Sequence, residues 1–196
     1  KKFDPVKKIS DTDLEIFLES LRLTASSFWL QPWKFVVVET QELKEKLFPY
    51  SYHQSQIVDA SHVIIFCRKK NINEAFVEEF FADMIEKTWE DASSLQWYKD
   101  TILWFLSSLD EAGKKAWAEK QVYIALWNAL TSLAELRIDS CPMEWFSPEG
   151  YDEILWLSDA WLASVVVLPI GYRSSNDTYA NRNKIRFASE KLILKK

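Results

Sequence analysis

The sequence predicts one globular domain of the α+β or α/β class, and three observations support this. Three short runs rich in β-branched and aromatic residues are typical of strands, at 34–39, 61–67 and 163–172. Between these runs, apolar residues recur at helical spacing. At 196 residues the chain is long enough to bury a substantial core but short for two domains. We therefore expect residues 1–196 to form one domain in which strands alternate with helices.

The other elements follow from capping residues and hydrophobic periodicity. Ser10 to Asp13 offer helix caps, and the helix that follows is expected to end near Ser26 and Ser27. The segment from Asp110 to about Leu136 is predicted to be a long helix, apolar nearly all round between 122 and 133, which suits a core or a subunit interface. The remaining predictions are helices opening at 40, over 72–88, over about 94–106 and from 148 to near 157, a short strand at 138–142, and a basic, extended tail from 181.

Composition excludes several classes of protein. A net charge of −5 and a pI of about 5.2 argue against non-specific nucleic-acid binding. The longest apolar run, Ala163 to Ile170, is too short to span a bilayer, and no signal peptide is visible. Two isolated cysteines, Cys67 and Cys141, suggest a reducing compartment, so the cytoplasm is the expected location. Because the first residue is not Met, we expect a short N-terminal segment to be missing.

The residues alone do not indicate a reaction. His62 begins an apolar strand and is expected to be structural, whereas His53 lies in a polar loop and is more open to a ligand role. No metal-ligand spacing and no glycine-rich phosphate loop is present. Lys184 and Arg186 are two residues apart in an extended segment, so they would point the same way and could hold a phosphate. Such a pair also suits a solvated surface.

Several motifs, in matching order, resemble the nitroreductase family. Ala25 to Phe35 is similar to its SS-x-x-x-QPW signature, and Asp139 to Glu144 is similar to its flavin-edge loop. Lys184 to Phe187 resembles its phosphate-binding tail. Further matching segments are 59–62, 120–126, 164–167 and 171–174.

The resemblance implies an α+β fold with a central, mainly antiparallel sheet wrapped by helices. It also implies an intertwined homodimer with FMN sites at the subunit interface, in which the long apolar helix packs against its partner copy. The implied activity is FMN-dependent transfer of hydride from NAD(P)H to a nitroaromatic, a quinone or a related acceptor, by a ping-pong mechanism. The cofactor carries this chemistry, so no catalytic side chain is predicted. Neither the acceptor nor the choice between NADH and NADPH follows from the sequence.

The resemblance assigns cofactor-binding roles to particular positions. Ser26 and Ser27 would line the flavin, and His53 and Gln56 would lie near its ring edge, although His53 replaces the usual Asn. In the flavin-edge loop, the backbone amides of Glu144 and residue 145 would face the redox-active part of the ring. The full set of predicted cofactor-binding residues is Lys1, Ser26, Ser27, His53, Gln56, Pro142, Met143, Glu144, Trp145, Lys184 and Arg186.

The chain holds ten tryptophans and only three glycines, whereas average usage predicts roughly 14 glycines at this length. Trp33 and Trp117 match aromatic positions of the family. The other eight fall where relatives usually or often carry Gly: Trp29, Trp89, Trp97, Trp104, Trp127, Trp145, Trp156 and Trp161. We interpret them as UGA codons translated with the wrong genetic code, with engineering and true divergence as the alternatives. Real tryptophans would overpack the domain unless they are exposed. If the eight tryptophans are real, we would expect a flavin-free, catalytically inactive scaffold or interaction protein on the same fold.

Overall fold

A computed structural model describes residues 2–89 and 91–196. In chain order, the helices and strands are α1 (Asp11–Arg22), β1 (Trp33–Val38), α2 (Gln41–Leu47), α3 (Gln56–Asp59), β2 (His62–Lys69), α4 (Glu74–Thr88), α5 (Ala92–Ser107), α6 (Glu111–Glu135), β3 (Asp139–Ser140), α7 (Pro148–Ile154), β4 (Leu162–Gly171) and α8 (Ser189–Leu192). Single 3₁₀ turns lie at Ser27–Trp29, Pro49–Ser51 and Ser158–Ala160.

The four strands form one sheet in the order β1-β2-β4-β3, and every pairing is antiparallel. This confirms the α+β class with an antiparallel sheet. Strand β2 is central and its residues 63–67 are fully buried, as expected for a run of β-branched residues covered on both faces. The register between β2 and β4 shifts at Phe66 and Cys67, which is the signature of a β-bulge.

The two faces of the sheet belong to two different cores. Alternate side chains of β2 separate them, since Ile64 and Phe66 face one cluster while Val63, Ile65 and Cys67 face the other. The first face packs against α1 and α6. The second packs against α2, α3 and α7. A third cluster joins α4, α5 and the start of α6 away from the sheet. Hydrophobic burial on both faces therefore fixes the sheet as the central layer.

Side-chain caps explain where six of the helices begin. An oxygen of each capping residue accepts a hydrogen bond from a backbone N–H of the first turn, which would otherwise be unpaired. The capping residues are Ser10, Thr40, Asn73, Asp91, Asp110 and Ser147.

The predicted end of α1 near Ser26 and Ser27 is wrong, because the helix stops at Arg22. The Thr24 hydroxyl donates back to the carbonyl of Ser20. Ser26 is extended, at φ −141° and ψ 164°, and its hydroxyl accepts from the N–H of Gln31. Local side-chain bonds of this kind compete with helix continuation.

Helix α6 is not buried all round within one chain. One stripe, including Val122, Ala125 and Ala129, lies fully in the core. The opposite face exposes Tyr123, Ile124 and Trp127. Among the described residues, no helix is both long and apolar enough to cross a membrane.

Candidate cofactor site

An open cavity of about 520 Å³ lies at the edge of the sheet. Its volume is within the range of small-molecule sites. One wall is the loop 141–145 that follows β3, which we call the cavity-edge loop. The other walls come from the start of α3, from α6 and from β4. The lining residues are Gln54, Gln56, Leu126, Cys141, Pro142, Met143, Glu144, Trp145 and Val166.

Backbone pairing to β4 holds the cavity-edge loop in an extended conformation. The N–H of Cys141 donates to the carbonyl of Pro169, over 3.1 Å. Met143 exchanges two hydrogen bonds with Val167, at 2.8 and 3.0 Å. The alternation of an extended chain then buries Cys141 and Met143 and leaves Pro142 and Glu144 exposed. The loop is therefore rigid on its core side and open on the other.

Two backbone donors of this loop remain free. Among residues 2–89 and 91–196, the N–H groups of Glu144 and Trp145 donate to no protein acceptor. The chain turns here, with the N–H of Phe146 bonded to the carbonyl of Glu144. Adjacent fixed N–H groups beside a cavity suit an electronegative ligand atom, and they cost no rearrangement when charge develops on it. Both residues are among those predicted to face the flavin.

Gln54 fixes the far end of this loop, and the sequence prediction missed it. Its side-chain N–H group donates to the carbonyl of Trp145 over 2.8 Å and to that of Ser51 over 3.0 Å. Gln54 lies between the two predicted residues His53 and Gln56, which was the available signal. The structure places Gln56 in the cavity wall, half-buried at the start of α3.

His53 does not line this cavity. Its backbone is left-handed, at φ 57°, two residues after the 3₁₀ turn Pro49–Ser51. The exposed imidazole packs edge-on against the ring of Phe48, with centroids 5.1 Å apart. A role for His53 as a ligand to the ring edge stays a prediction.

Tyr123 is a second residue that sequence reasoning missed. Its hydroxyl donates to the carboxylate of Glu144, so helix α6 is tied to the cavity-edge loop. Burial, together with this hydrogen bond and the negative charge of Glu144, raises the pKa of Tyr123 well above its ordinary value. The hydroxyl therefore remains a donor at neutral pH.

Ser26 and Ser27 are not among the residues that line this cavity. The N–H of Ser27 donates to Oε1 of Gln121, a buried side chain of α6, over 2.8 Å. The same segment is held by Gln31, whose side-chain amide donates to the carbonyl of Arg22 over 2.8 Å. The motif is thus anchored to α6, and its contact with a flavin stays a prediction.

The predicted phosphate ligands are far less constrained. Lys184 and Arg186 lie in the exposed C-terminal segment, residues 181–196, and neither lines the cavity. The guanidinium of Arg186 donates only to the carbonyl of the preceding residue, Ile185, among the contacts of the described residues. Lys1 lies outside the described residues.

The cavity fits the ring of a flavin better than it fits a metal ion. Free N–H donors, the amides of Gln54 and Gln56, and apolar walls match the mixture of carbonyl, nitrogen and aromatic surface on such a ring. In the described part of the chain, no group of three or more His, Cys, Asp or Glu side chains is placed to hold a metal.

Comparison with known proteins identifies the family of this chain. A sequence model of the nitroreductase family matches residues 1–172. A protein of Staphylococcus haemolyticus provisionally named an NAD(P)H nitroreductase is 37% identical, covering 98% of this chain and 90% of its own. The major NAD(P)H-flavin oxidoreductase of Aliivibrio fischeri is 36% identical, covering 98% and 92%.

A solved structure shows the same fold. A provisionally named nitroreductase of Exiguobacterium sibiricum, crystallised in complex with FMN, superposes with a TM-score of 0.85 over 100% of this chain and 91% of its own, at 18% identity. The match to the family covers most of the chain. The chain therefore belongs to the nitroreductase family.

Proposed function

We propose that this protein is an FMN-dependent oxidoreductase that passes hydride from NAD(P)H to a nitroaromatic, a quinone or a related acceptor in a ping-pong cycle. The observation that carries the proposal is the cavity-edge loop, with two free N–H groups on an open cavity of ligand size. Relatives at 36–37% identity are named for NAD(P)H-dependent nitro or flavin reduction.

Bound FMN would supply the hydride-transfer chemistry. The chain's own residues would bind and orient it. The N–H groups of Glu144 and Trp145 would donate to electronegative atoms of the ring edge, and Gln56 would donate from the opposite wall. Gln54 and Tyr123 would act as positioning residues, because they bond the loop rather than the ligand. Leu126 and Val166 would supply apolar surface and limit water.

We further propose that the working form is a homodimer. Helix α6 presents the exposed side chains of Tyr123 and Ile124 beside the cavity wall formed by Leu126. Exposed apolar surface next to a ligand-sized cavity is typical of an interaction surface. A second copy packed there would bury α6 on both sides.

The activity is tested on purified protein reconstituted with FMN. We expect a yellow protein that reduces menadione or nitrofurazone with NAD(P)H, with parallel double-reciprocal plots when both substrates are varied. Glu144→Pro removes one free N–H and should weaken FMN retention. Glu149→Pro, which lies at the exposed second position of α7 and lines no part of this cavity, is the matched control. A colourless protein that FMN cannot reconstitute would favour the flavin-free scaffold.

The dimer is tested by light scattering during size exclusion. Ile124→Asp should give monomers that lose FMN. Ile16→Asp, at an equally exposed isoleucine on α1, should leave the dimer intact. A monomeric parent protein with full activity would contradict the homodimer.

A further inference from the structure

The ten tryptophans fall into two classes that do not overlap. Trp33 and Trp117 are in the core, with exposed fractions of 7% and 9%. The other eight are between 60% and 91% exposed. Tryptophan has a large apolar surface and is strongly buried on average, so eight exposed indoles in one chain need a specific cause.

Phenylalanine in the same chain behaves normally. Of twelve phenylalanines, only Phe187 is exposed, and it lies in the C-terminal segment. Four tyrosines are exposed as well, at 38–59%, but each carries a polar hydroxyl. Among the rings without a hydroxyl, the anomaly is confined to tryptophan, and within tryptophan to the eight positions where the family resemblance places Gly. The overpacking expected for tryptophan at such positions is absent, because each of the eight side chains is at least 60% exposed.

Four of these eight positions have a backbone that favours glycine. Trp29, Trp89, Trp156 and Trp161 have φ of 56°, 59°, 49° and 54°. In this left-handed region, a Cβ atom approaches the neighbouring carbonyl, so residues other than Gly and Asn are uncommon there. Tryptophan, with its bulky side chain, gains nothing from this conformation.

Hydrogen bonding shows why the chain needs that conformation at two of the four. After α7, the N–H of Leu157 bonds to the carbonyl of Asp152 and that of Trp156 to the carbonyl of Glu153. The same pair of bonds recurs after the next turn, from Leu162 to Leu157 and from Trp161 to Ser158. Each pair is a Schellman motif, and Trp156 and Trp161 occupy its left-handed position, which is usually glycine.

Trp89 ends α4 in a related way, with its N–H bonded to the carbonyl of Ile85 over 3.0 Å. This is the single bond of the simpler left-handed cap, where glycine is again the usual residue.

The other four positions make no such backbone demand. Trp97 and Trp104 lie seven residues apart on α5, Trp127 lies on α6, and Trp145 lies in the cavity-edge loop. Glycine inside a helix is unfavourable relative to alanine, so helical geometry gives no preference for it here. At these four positions the indole is exposed, so replacing tryptophan by glycine would remove no side chain from the core.

We propose that the protein made in its own host carries glycine at all eight positions, because each is encoded by UGA that the host reads as glycine. Reading UGA as glycine explains three observations together: the eight exposed tryptophans, the left-handed backbone at four of them and the scarcity of glycine. It would give eleven glycines and two tryptophans, close to ordinary usage of glycine. The proposal does not depend on the activity proposed above.

The cavity changes most at position 145. Trp145 forms part of the cavity wall, and its indole packs against the ring of Tyr52 with centroids 5.6 Å apart. With glycine there, this wall opens beside the two free N–H groups and the main-chain hydrogen bond to Gln54 is kept. The glycine form therefore has a wider entrance for cofactor and substrate.

Peptide mass spectrometry of the protein purified from its host tests the proposal directly, together with the gene sequence. We expect glycine and UGA at all eight positions, and tryptophan and UGG at Trp33 and Trp117, which serve as internal controls. Tryptophan at any of the eight would overturn the single cause. Positions 97, 104 and 127 give the most stringent test, because helical backbone does not favour glycine and only the UGA reading predicts it there.

A stability measurement on the printed sequence tests the backbone argument separately. The double variant Trp156→Gly/Trp161→Gly should raise the thermal midpoint, since both left-handed positions lose their Cβ. Trp33→Gly should lower the midpoint, because it removes a core side chain. A lower midpoint for the double variant would contradict the claim that the backbone is built for glycine.

Discussion

The cavity-edge loop and the C-terminal segment carry the two halves of the predicted cofactor site, and they are built in opposite ways. The loop is paired to β4, with Met143 bonded twice to Val167, and is tied to two other elements by Gln54 and Tyr123. Residues 181–196 are exposed throughout and contain only the short helix α8. The predicted ring side is therefore held by hydrogen bonds within one chain, whereas the segment that contains the predicted phosphate ligands is exposed.

This difference predicts different energetics. Changes in the loop should affect both folding and ligand binding, because the same bonds serve both. Changes in the C-terminal segment should affect binding alone, because an exposed residue contributes little to the free energy of unfolding. Four experiments test that contrast, beginning with the largest expected effect.

Removing both cations of the tail should cost the most. Lys184→Ala/Arg186→Ala is expected to weaken FMN binding by about 3 kcal/mol or more, roughly 100-fold, because each charged hydrogen bond to phosphate contributes about 1.5–3 kcal/mol. Fluorescence titration with FMN measures the affinity, and the unfolding midpoint of the apoprotein should not change. Lys195→Ala/Lys196→Ala removes the same charge from the end of the segment and should have little effect. Equal losses in both double variants would mean that only net charge matters.

Gln54→Ala should weaken folding and binding together. The variant loses bonds to the carbonyls of Trp145 and Ser51, which contribute about 0.5–1.5 kcal/mol each. We expect about 1–2 kcal/mol less stability in urea unfolding and roughly tenfold weaker FMN binding. Gln41→Ala, whose amide bonds only the exposed Glu45 at 3.3 Å, is the matched control. Weaker binding without any change in stability would break the proposed coupling.

The core cluster beneath the cavity-edge loop, in which Cys67 packs with Cys141 and Met143, should make the stability of the fold sensitive to alkali. Burial raises the pKa of the Cys67 thiol from 9.0 to about 12. The folded state therefore holds a proton that the unfolded state releases above pH 9, so stability is fully present below pH 9 and falls as pH rises further. By pH 10 the accumulated loss relative to neutral pH is about 1.4 kcal/mol.

Urea unfolding at several pH values measures this slope. Cys67→Ala should flatten it, whatever the variant's stability at neutral pH. An unchanged slope in Cys67→Ala would assign the alkaline loss to another group.

Tyr123→Phe should have the smallest effect, about 0.5–1 kcal/mol, because it removes one hydrogen bond at the edge of the loop. We expect a few-fold change in the rate of flavin reduction by NAD(P)H, measured in single turnovers. Tyr98→Phe removes a comparable bond, to the carbonyl of Phe28, in the helical layer and should leave that rate unchanged. Similar rate changes in both variants would argue that Tyr123 acts only through stability.

The sequence was a reliable guide wherever local chemistry decides the structure. Thr40 and Asp110 start their helices as predicted, because a side-chain oxygen satisfies a free N–H in the first turn. The strands at Trp33–Val38, His62–Lys69 and Leu162–Gly171 fall on the predicted runs within one or two residues. The family was also identified from motifs, and the comparisons confirm it.

The same reasoning missed the early end of helix α1, where the local bond from the N–H of Gln31 to the Ser26 hydroxyl replaces a further helical turn. It also failed where distant contacts decide. Gln54 and Tyr123 carry no motif, and each matters only because folding brings it to residues 91 and 21 positions away. Which face of α6 is buried likewise depends on the elements that pack against it.

By itself, the sequence determined the class of fold, the family and the anomaly in tryptophan and glycine, because periodicity, motifs and composition are properties of the chain. Only the tertiary structure decided which tryptophans are compatible with the core. How helices end and pack determines which residues have a left-handed backbone and which are exposed, and neither property can be read from composition. It also separated the paired and partly buried cavity-edge loop from the exposed C-terminal segment, because pairing and burial depend on residues that are distant in the chain.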